Sequence, residues 1–281
     1  MQTLLRYGTF PLFFVGFNGV GLWLLMQQGP DAARYAVLVL AVVTMLAIER
    51  VIPWQRAWNR DPGDAQADVL HALLNSALTY GGIAALPLLT MFLPWPSLWP
   101  QQWPFVVQVI VAVLVLDLGI SAAHHLSHFS GLLWRFHAVH HAAERLYGFN
   151  GWMKHPVHQL IETFAGMTPL LLLGVTQPAA AAVAFCVAIQ LLLQHANADY
   201  RIGPLKYVFA TAEAHRFHHL RGPDGDVNFG LFTTLWDHMA GSFRYQRDAA
   251  PRAADAVGLT PPMPPRGYLA QLAAPFRGFA R

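Results

Sequence analysis

Nineteen consecutive residues, Thr9 to Gln27, carry no charge, and wound into a helix they reach about 28 Å, close to the thickness of a bilayer's hydrocarbon core. Such a segment must satisfy its backbone without water, which leaves a helix or a closed barrel. Arg6 precedes it as in a secretory signal, but the apolar stretch is too long and no small-residue cleavage pattern follows, so it reads as a retained helix. Further apolar runs extend from about Tyr35 to Ile52, with Glu49 and Arg50 placed to snorkel, from Val69 to Leu93, with a break expected at Pro87, and from Phe105 to Ala123. The uncharged stretch Pro94–Pro104 carries Trp95, Trp99 and Trp103, the pattern of an interfacial aromatic belt. Leu160–Val175 and Ala179–Gln194 are joined by Thr176-Gln177-Pro178 and read as a helical hairpin. Its first arm contains Glu162, Gly166 and Pro169 and is expected to dip into the bilayer without crossing cleanly. Composition agrees: 55% of the residues are apolar and 12% charged, against about 45–50% and 25% in soluble domains.

These runs predict an all-α integral membrane protein with four to six membrane-embedded helices. With the amino terminus inside, seventeen of the eighteen basic residues lie on the inner side and only Arg34 lies outside, as the positive-inside tendency requires. The histidines then gather at the cytoplasmic ends of the helices, in a histidine-rich helical cap, with both termini on the same side. Three regions are expected: residues 1–68, membrane helices and a cytosolic loop; 69–245, the histidine-bearing domain; and 246–281, a surface-lying or loosely ordered tail rich in Pro and Arg. No phosphate-binding loop, internal repeat or basic segment with interleaved aromatics is present, which argues against a nucleic-acid partner. A homodimer through the outer spans is compatible with the pattern.

Twelve of the fourteen histidines fall between His124 and His219. Asp117, Ser121, His124 and His128 follow one helical stripe, and two imidazoles four residues apart can grip one metal. His137, His140 and His141 repeat a spacing of three and four, as do His215, His218 and His219. Eight such residues exceed the ligands one metal takes, so two metals are the economical reading. The single cysteine, Cys186, excludes a multi-thiolate zinc site or an iron–sulfur cluster. Nitrogen ligands alone admit iron, copper, zinc or nickel. A membrane setting favours iron, because a pair of irons can activate dioxygen against an unactivated C–H bond, whereas zinc offers Lewis-acid or hydroxide chemistry.

His124-x3-His128, Leu133-Trp134-Arg135-Phe136-His137-Ala138-Val139-His140-His141, Lys154-His155-Pro156, His195-x-Asn197, His215-Arg216-Phe217-His218-His219, and Asn228-Phe229-Gly230 followed by Trp236-Asp237 together resemble the fatty acid hydroxylase superfamily, which includes sterol desaturases and sterol methyl oxidases. The resemblance runs over roughly residues 49–245, beginning with Glu49-Arg50 and Asp68-x2-His71. It implies a di-iron centre, dioxygen as co-substrate, and hydroxylation or desaturation of a lipid such as a fatty acyl chain or sterol; a zinc-dependent lipid-modifying enzyme is the alternative chemistry. It implies ligand roles for His124, His128, His137, His140, His141, His215, His218 and His219, and less firmly for His155 and His195. Asn197 is expected at a water-mediated or outer contact, and Asp117 and Asp237 behind ligating imidazoles, with a helix cap as the competing role for Asp237. The chain departs from the family at His125, where Arg is usual, and at His158, where Glu is usual, and both are placed behind the ligands.

His71 and Asn75, one turn apart in the third run, are candidates for the substrate cavity or for bonds between helices. His238 is expected to be a surface bystander, and Glu144 and Arg145 a solvated pair. With no dinucleotide fingerprint or attached haem domain, electrons are expected from a separate ferredoxin, cytochrome or flavin reductase. Two other classes are weighed. A metal transporter needs ligands along a path through the midplane, and a haem carrier needs paired histidines on facing spans; three tight groups at one face suit neither.

Overall fold

The computed structural model describes residues 1–93, 95, 97–246, 253, 256–260 and 267–277. Parts of the 94–104 stretch and of the 246–281 tail lie outside the described residues. The first span runs unbroken from Gln2 to Met26. It consists of α1 (Gln2–Pro11), one stretch of π-helix at Leu12–Phe17, and α2 (Asn18–Met26). Three long helices follow: α3 (Asp31–Val51), α4 (Ala65–Thr90) and α5 (Phe105–Phe129). Then come α6 (Gly131–His141), α7 (Pro156–Leu173), α8 (Gln177–His195), α9 (Ala212–His218), α10 (Leu235–Ala240) and α11 (Tyr268–Ala273).

Among the described residues, five spans are long and apolar enough to cross a membrane: residues 2–26, α3, α4, α5 and α8. The arm α7 is not among them, yet it reaches the far end of the bundle. Leu98 N–H donates to the carbonyl of Leu173, and the Trp95 indole donates to that of Leu172, so the end of α7 meets the segment that precedes α5. The arm therefore traverses the bundle rather than dipping into it. It is tolerated there because its polar side chains turn inward: His158 and Glu162 are buried against other side chains. Gly119 of α5 and Gly166 of α7 let the two helices meet backbone to backbone, since a Cβ on Gly119 would lie 2.2 Å from the carbonyl oxygen of Ala165.

Three other expectations change. Pro87 does not break α4, which continues to Thr90. The carbonyl of Ile83, which a proline four residues on leaves without its helical donor, accepts instead from Gln177 Nε2 at 3.4 Å. Trp99 is buried, with its indole donating to Gln108, while Trp95 and Trp103 are exposed, so the three do not form one belt. The tail, where described, is packed on the cap rather than loose. Val257 is buried and pairs with Leu220, Arg221 donates to the carbonyls of Val257 and Leu259, and Gln271 of α11 is buried against His71.

The histidine end is also the end where the amino terminus lies. Arg6 pairs with Asp199 just beyond α8. Glu49, at the close of α3, accepts from the backbone N–H groups of Gly148 and Asn197. Arg216 of α9 is buried and donates to the carbonyls of Ala196 and Ala198. These contacts lock the connections between helices into a rigid cap, which is what a multi-ligand site requires.

Candidate metal centre

Nine histidines converge in two groups. In the first, His124, His128, His137, His141 and His218 offer ring nitrogens all within 4.8 Å of one another; the second is formed by His140, His195, His215 and His219 to the same limit. All nine are buried. α5 supplies His124 and His128, α6 supplies His137, His140 and His141, α8 ends in His195, and α9 carries His215 and His218, with His219 at its carboxyl cap. The i, i+3, i+4 spacing on α6 splits its rings between the groups: His137 and His141, one turn apart, enter the first and His140 the second.

Proton positions decide whether these are hydrogen-bonded pairs or ligands. His124 Nδ1 faces the carbonyl of Phe229 at 2.9 Å, His218 Nδ1 that of Val227 at 2.8 Å, and His128 Nδ1 a carboxylate oxygen of Asp226 at 2.8 Å. In the second group His140 Nδ1 faces the carbonyl of Met153 at 2.9 Å and His195 Nδ1 that of Leu191 at 3.2 Å. Each acceptor fixes the single proton of a neutral ring on Nδ1 and leaves a bare lone pair on Nε2. Yet Nε2 of His124 stands 2.8 Å from Nε2 of His218, and Nε2 of His195 stands 3.2 Å from Nε2 of His140. Lone pairs that close repel unless a cation lies among them. Metal–imidazole bonds of about 2.1 Å put neighbouring ligand nitrogens about 3.0–3.4 Å apart; the other close pairs in both groups, at 3.0–3.2 Å, fall in that range, and only the His124–His218 pair is tighter.

Electrostatics reinforces this reading. Burial, and then the neighbouring rings, hold His137, His140, His141, His215, His218 and His219 well below the ordinary imidazole pKa, so they stand neutral, the form that ligates. Nδ1 of His215 and of His219 are buried without a hydrogen-bond partner among the described residues.

His155 is not brought to either group. It caps α7, accepting from the N–H of Val157, and its Nε2 donates to the carbonyl of Leu272. Asn197 also lies away from the centre, bonded to Gln55 and Asn59. The carboxylates Asp117 and Asp237 bond to none of the nine converging rings. Asp117 accepts from the N–H groups of Leu231, Phe232 and Thr233 and from the Thr233 hydroxyl, and Asp237 from those of Phe229 and Gly230. Together they fix the loop whose Phe229 carbonyl orients His124. His125 accepts from the Trp236 indole and stacks on Phe229, and His158 lies directly behind His137, with Nε2 2.8 Å from its Nδ1. His71 and Asn75 bond across elements instead of lining the cavity: His71 to Gln271, Asn75 to the carbonyls of Trp152 and Lys154. His238 is exposed and bonds to the carbonyl of Tyr207. Arg145 is buried and bonds to Asp64 and to the carbonyl of Trp58, so it is not a solvated residue.

Three residues escaped the sequence reading. Asp226 orients His128 from a loop whose fold no spacing announces. Lys154 and Glu162 form a buried ion pair, and both line the cavity between the two histidine groups together with His124, His137, His140, His195, His215, Gln194, Ile120 and Leu231. The sequence carries a signal for both: Glu162 is a carboxylate in an apolar run, four residues after His158, and Lys154 opens Lys154-His155-Pro156.

A family profile and several known proteins are similar to the chain. The family profile described as fatty acid hydroxylase matches residues 109–242, the part that carries all nine converging histidines. Ornithine lipid hydroxylase OlsE of Rhizobium tropici is 34% identical over 257 residues, covering 86% of this chain and 75% of that protein. Alkylglycerol monooxygenases of Caenorhabditis elegans and Xenopus tropicalis are 26% and 25% identical over 46% and 53% of this chain, which correspond to 25% and 32% of their own lengths. No solved structure matches the chain.

Proposed function

The chain belongs to the fatty acid hydroxylase superfamily, and from that premise we propose that it is a membrane-bound, dioxygen-dependent hydroxylase of a lipid, with two irons held by the nine converging histidines. The observation that carries this reading is the pairing of buried Nε2 lone pairs, His124 against His218 and His140 against His195, with Nδ1 protons fixed on the outer side. His124, His128, His137, His141 and His218 would hold one metal, and His140, His195, His215 and His219 the other. A pair of redox-active metals supplies the capacity to reduce dioxygen and oxidise a C–H bond.

The chain's own residues provide the setting. The 229–233 loop, clamped by Asp117 and Asp237, keeps His124 in register. Asp226 does the same for His128. Ile120 and Leu231 give the cavity an apolar side against which an aliphatic carbon can rest. Electrons come from a separate donor protein. The histidine end faces the cytoplasm, supported by the sequence topology, which assigns seventeen of the eighteen basic residues to that side.

Similarity to an ornithine lipid hydroxylase over most of the chain supports an aminolipid as substrate. Expression in a host that makes ornithine lipids, followed by mass spectrometry of the lipid extract, tests this directly. A lipid heavier by one oxygen is expected, absent without dioxygen and absent in His218→Ala. An unchanged aminolipid fraction beside an oxygenated product of another lipid class would overturn the substrate, and no oxygenated product in any class would overturn the activity.

A further inference from the structure

Lys154 neutralises Glu162 in the fold, but the proposed ligand set gives it no role at the centre. A lysine beside two cation-binding groups is electrostatically misplaced unless something negative stands between. Its side chain is nevertheless buried in the cavity that separates the groups. Asn75 holds its backbone carbonyl at 2.9 Å, and its ammonium bonds to Glu162 Oε2, the one side-chain bond it makes among the described residues. An ammonium has three donors, so two remain beyond Glu162. Charge balance points the same way. Nine neutral imidazoles bring no charge to two divalent metals. Of the carboxylates placed behind the rings, Asp226 faces His128, and the charge of Glu162 is already matched by Lys154. The loaded site would therefore hold an excess of positive charge facing the cavity.

We propose that Lys154, held in place by Glu162, binds a small anion in the cavity between the two histidine groups, an anion of the size of hydroxide or azide that also meets the metals. Glu162 cancels the net charge of the lysine while leaving its N–H donors directed, so the pair adds hydrogen bonding without adding to the cationic excess. The inference rests on the two-metal reading of the site, and its test separates the two.

Full-length protein loaded with cobalt(II), its metal content measured, is titrated with azide and followed by visible absorption. Failure of the unaltered chain to take up cobalt would overturn the metal reading itself. Cobalt uptake with no spectral response to azide would overturn the anion site alone. The expected result is that Lys154→Met keeps its cobalt and raises the azide Kd about tenfold or more, the loss expected for a charge-assisted hydrogen bond, and that Lys154→Arg recovers most of it. The double variant Lys154→Met with Glu162→Gln is expected to stay weak. Recovery in the double variant would contradict the proposal, because the stranded carboxylate would then explain the loss. An unchanged azide Kd in Lys154→Met, or loss of its cobalt, would contradict it equally.

Discussion

At the scale of single residues, the side of each imidazole that carries the proton separates the rings proposed as ligands from the others. His218 has its Nδ1 proton committed to Val227 and its Nε2 within 2.8 Å of His124 and 3.0 Å of His141, so His218→Ala should lower bound metal and abolish turnover while leaving the protein in the membrane. His155 has both nitrogens engaged elsewhere, so His155→Ala should retain its metal; elemental analysis of the two variants decides, and metal loss in His155→Ala would contradict the assignment. The same burial makes the metal-free protein acid-sensitive. Rings whose folded pKa lies below the unfolded value of about 6.5 bind fewer protons folded than unfolded, so their contribution to stability is full above pH 6.5 and is lost as pH falls below it. The thermal midpoint of chelator-stripped protein should fall between pH 7 and pH 5.5, and a flat profile would contradict neutral buried rings. Spacing in the sequence exposed eight of the nine converging histidines because i, i+3 and i+4 positions share a helix face, whereas His195 was reached only through the family resemblance. It could not place His155 or Asn197, because caps and loops have no periodicity to read, and it passed over Lys154 because a buried cation is recognised only from what surrounds it.

At the scale of helices, apolar runs located every span, but their ends needed the tertiary structure. α5 continues from Ala123 to Phe129 because its polar residues His124, Ser127 and His128 face the centre of the cap, so hydropathy falls while the helix persists. α4 runs through Pro87 because Gln177 from α8 serves the carbonyl of Ile83, a compensation supplied by a neighbour remote in sequence. The arm α7 is the least legible in sequence, since Glu162 lowers its hydropathy while its partner Lys154 lies outside the run. What holds α7 is close packing on α5, and Gly119 tests it. Adding a Cβ 2.2 Å from the Ala165 carbonyl forces the helices apart, so Gly119→Ala should cost about 1–3 kcal/mol, seen as a lowered thermal midpoint in detergent together with weakened metal retention, because α7 carries the His158 that backs His137. A variant as stable as the unaltered chain would show that the crossing is loose.

At the scale of the whole molecule, the five apolar spans and α7 make six passes, which returns the chain to the end where it began and lets the ends of α5, α8 and α9 contribute to one centre. Rigidity there comes from carboxylates that grip backbone rather than metal: Glu49 on Gly148 and Asn197, Asp117 on residues 231–233, Asp237 on Phe229 and Gly230. The tail closes the assembly through Val257 and Gln271, a role that its Pro- and Arg-rich composition concealed. All of this serves two groups of lone pairs that, in the function proposed above, hold cations. Protein purified anaerobically in mild detergent without chelator, with metals quantified and the visible spectrum recorded on the same sample, tests that claim most directly. About two irons per chain without a haem band is the predicted result; a chain that takes up no metal when iron is supplied, or one that carries haem, would contradict it.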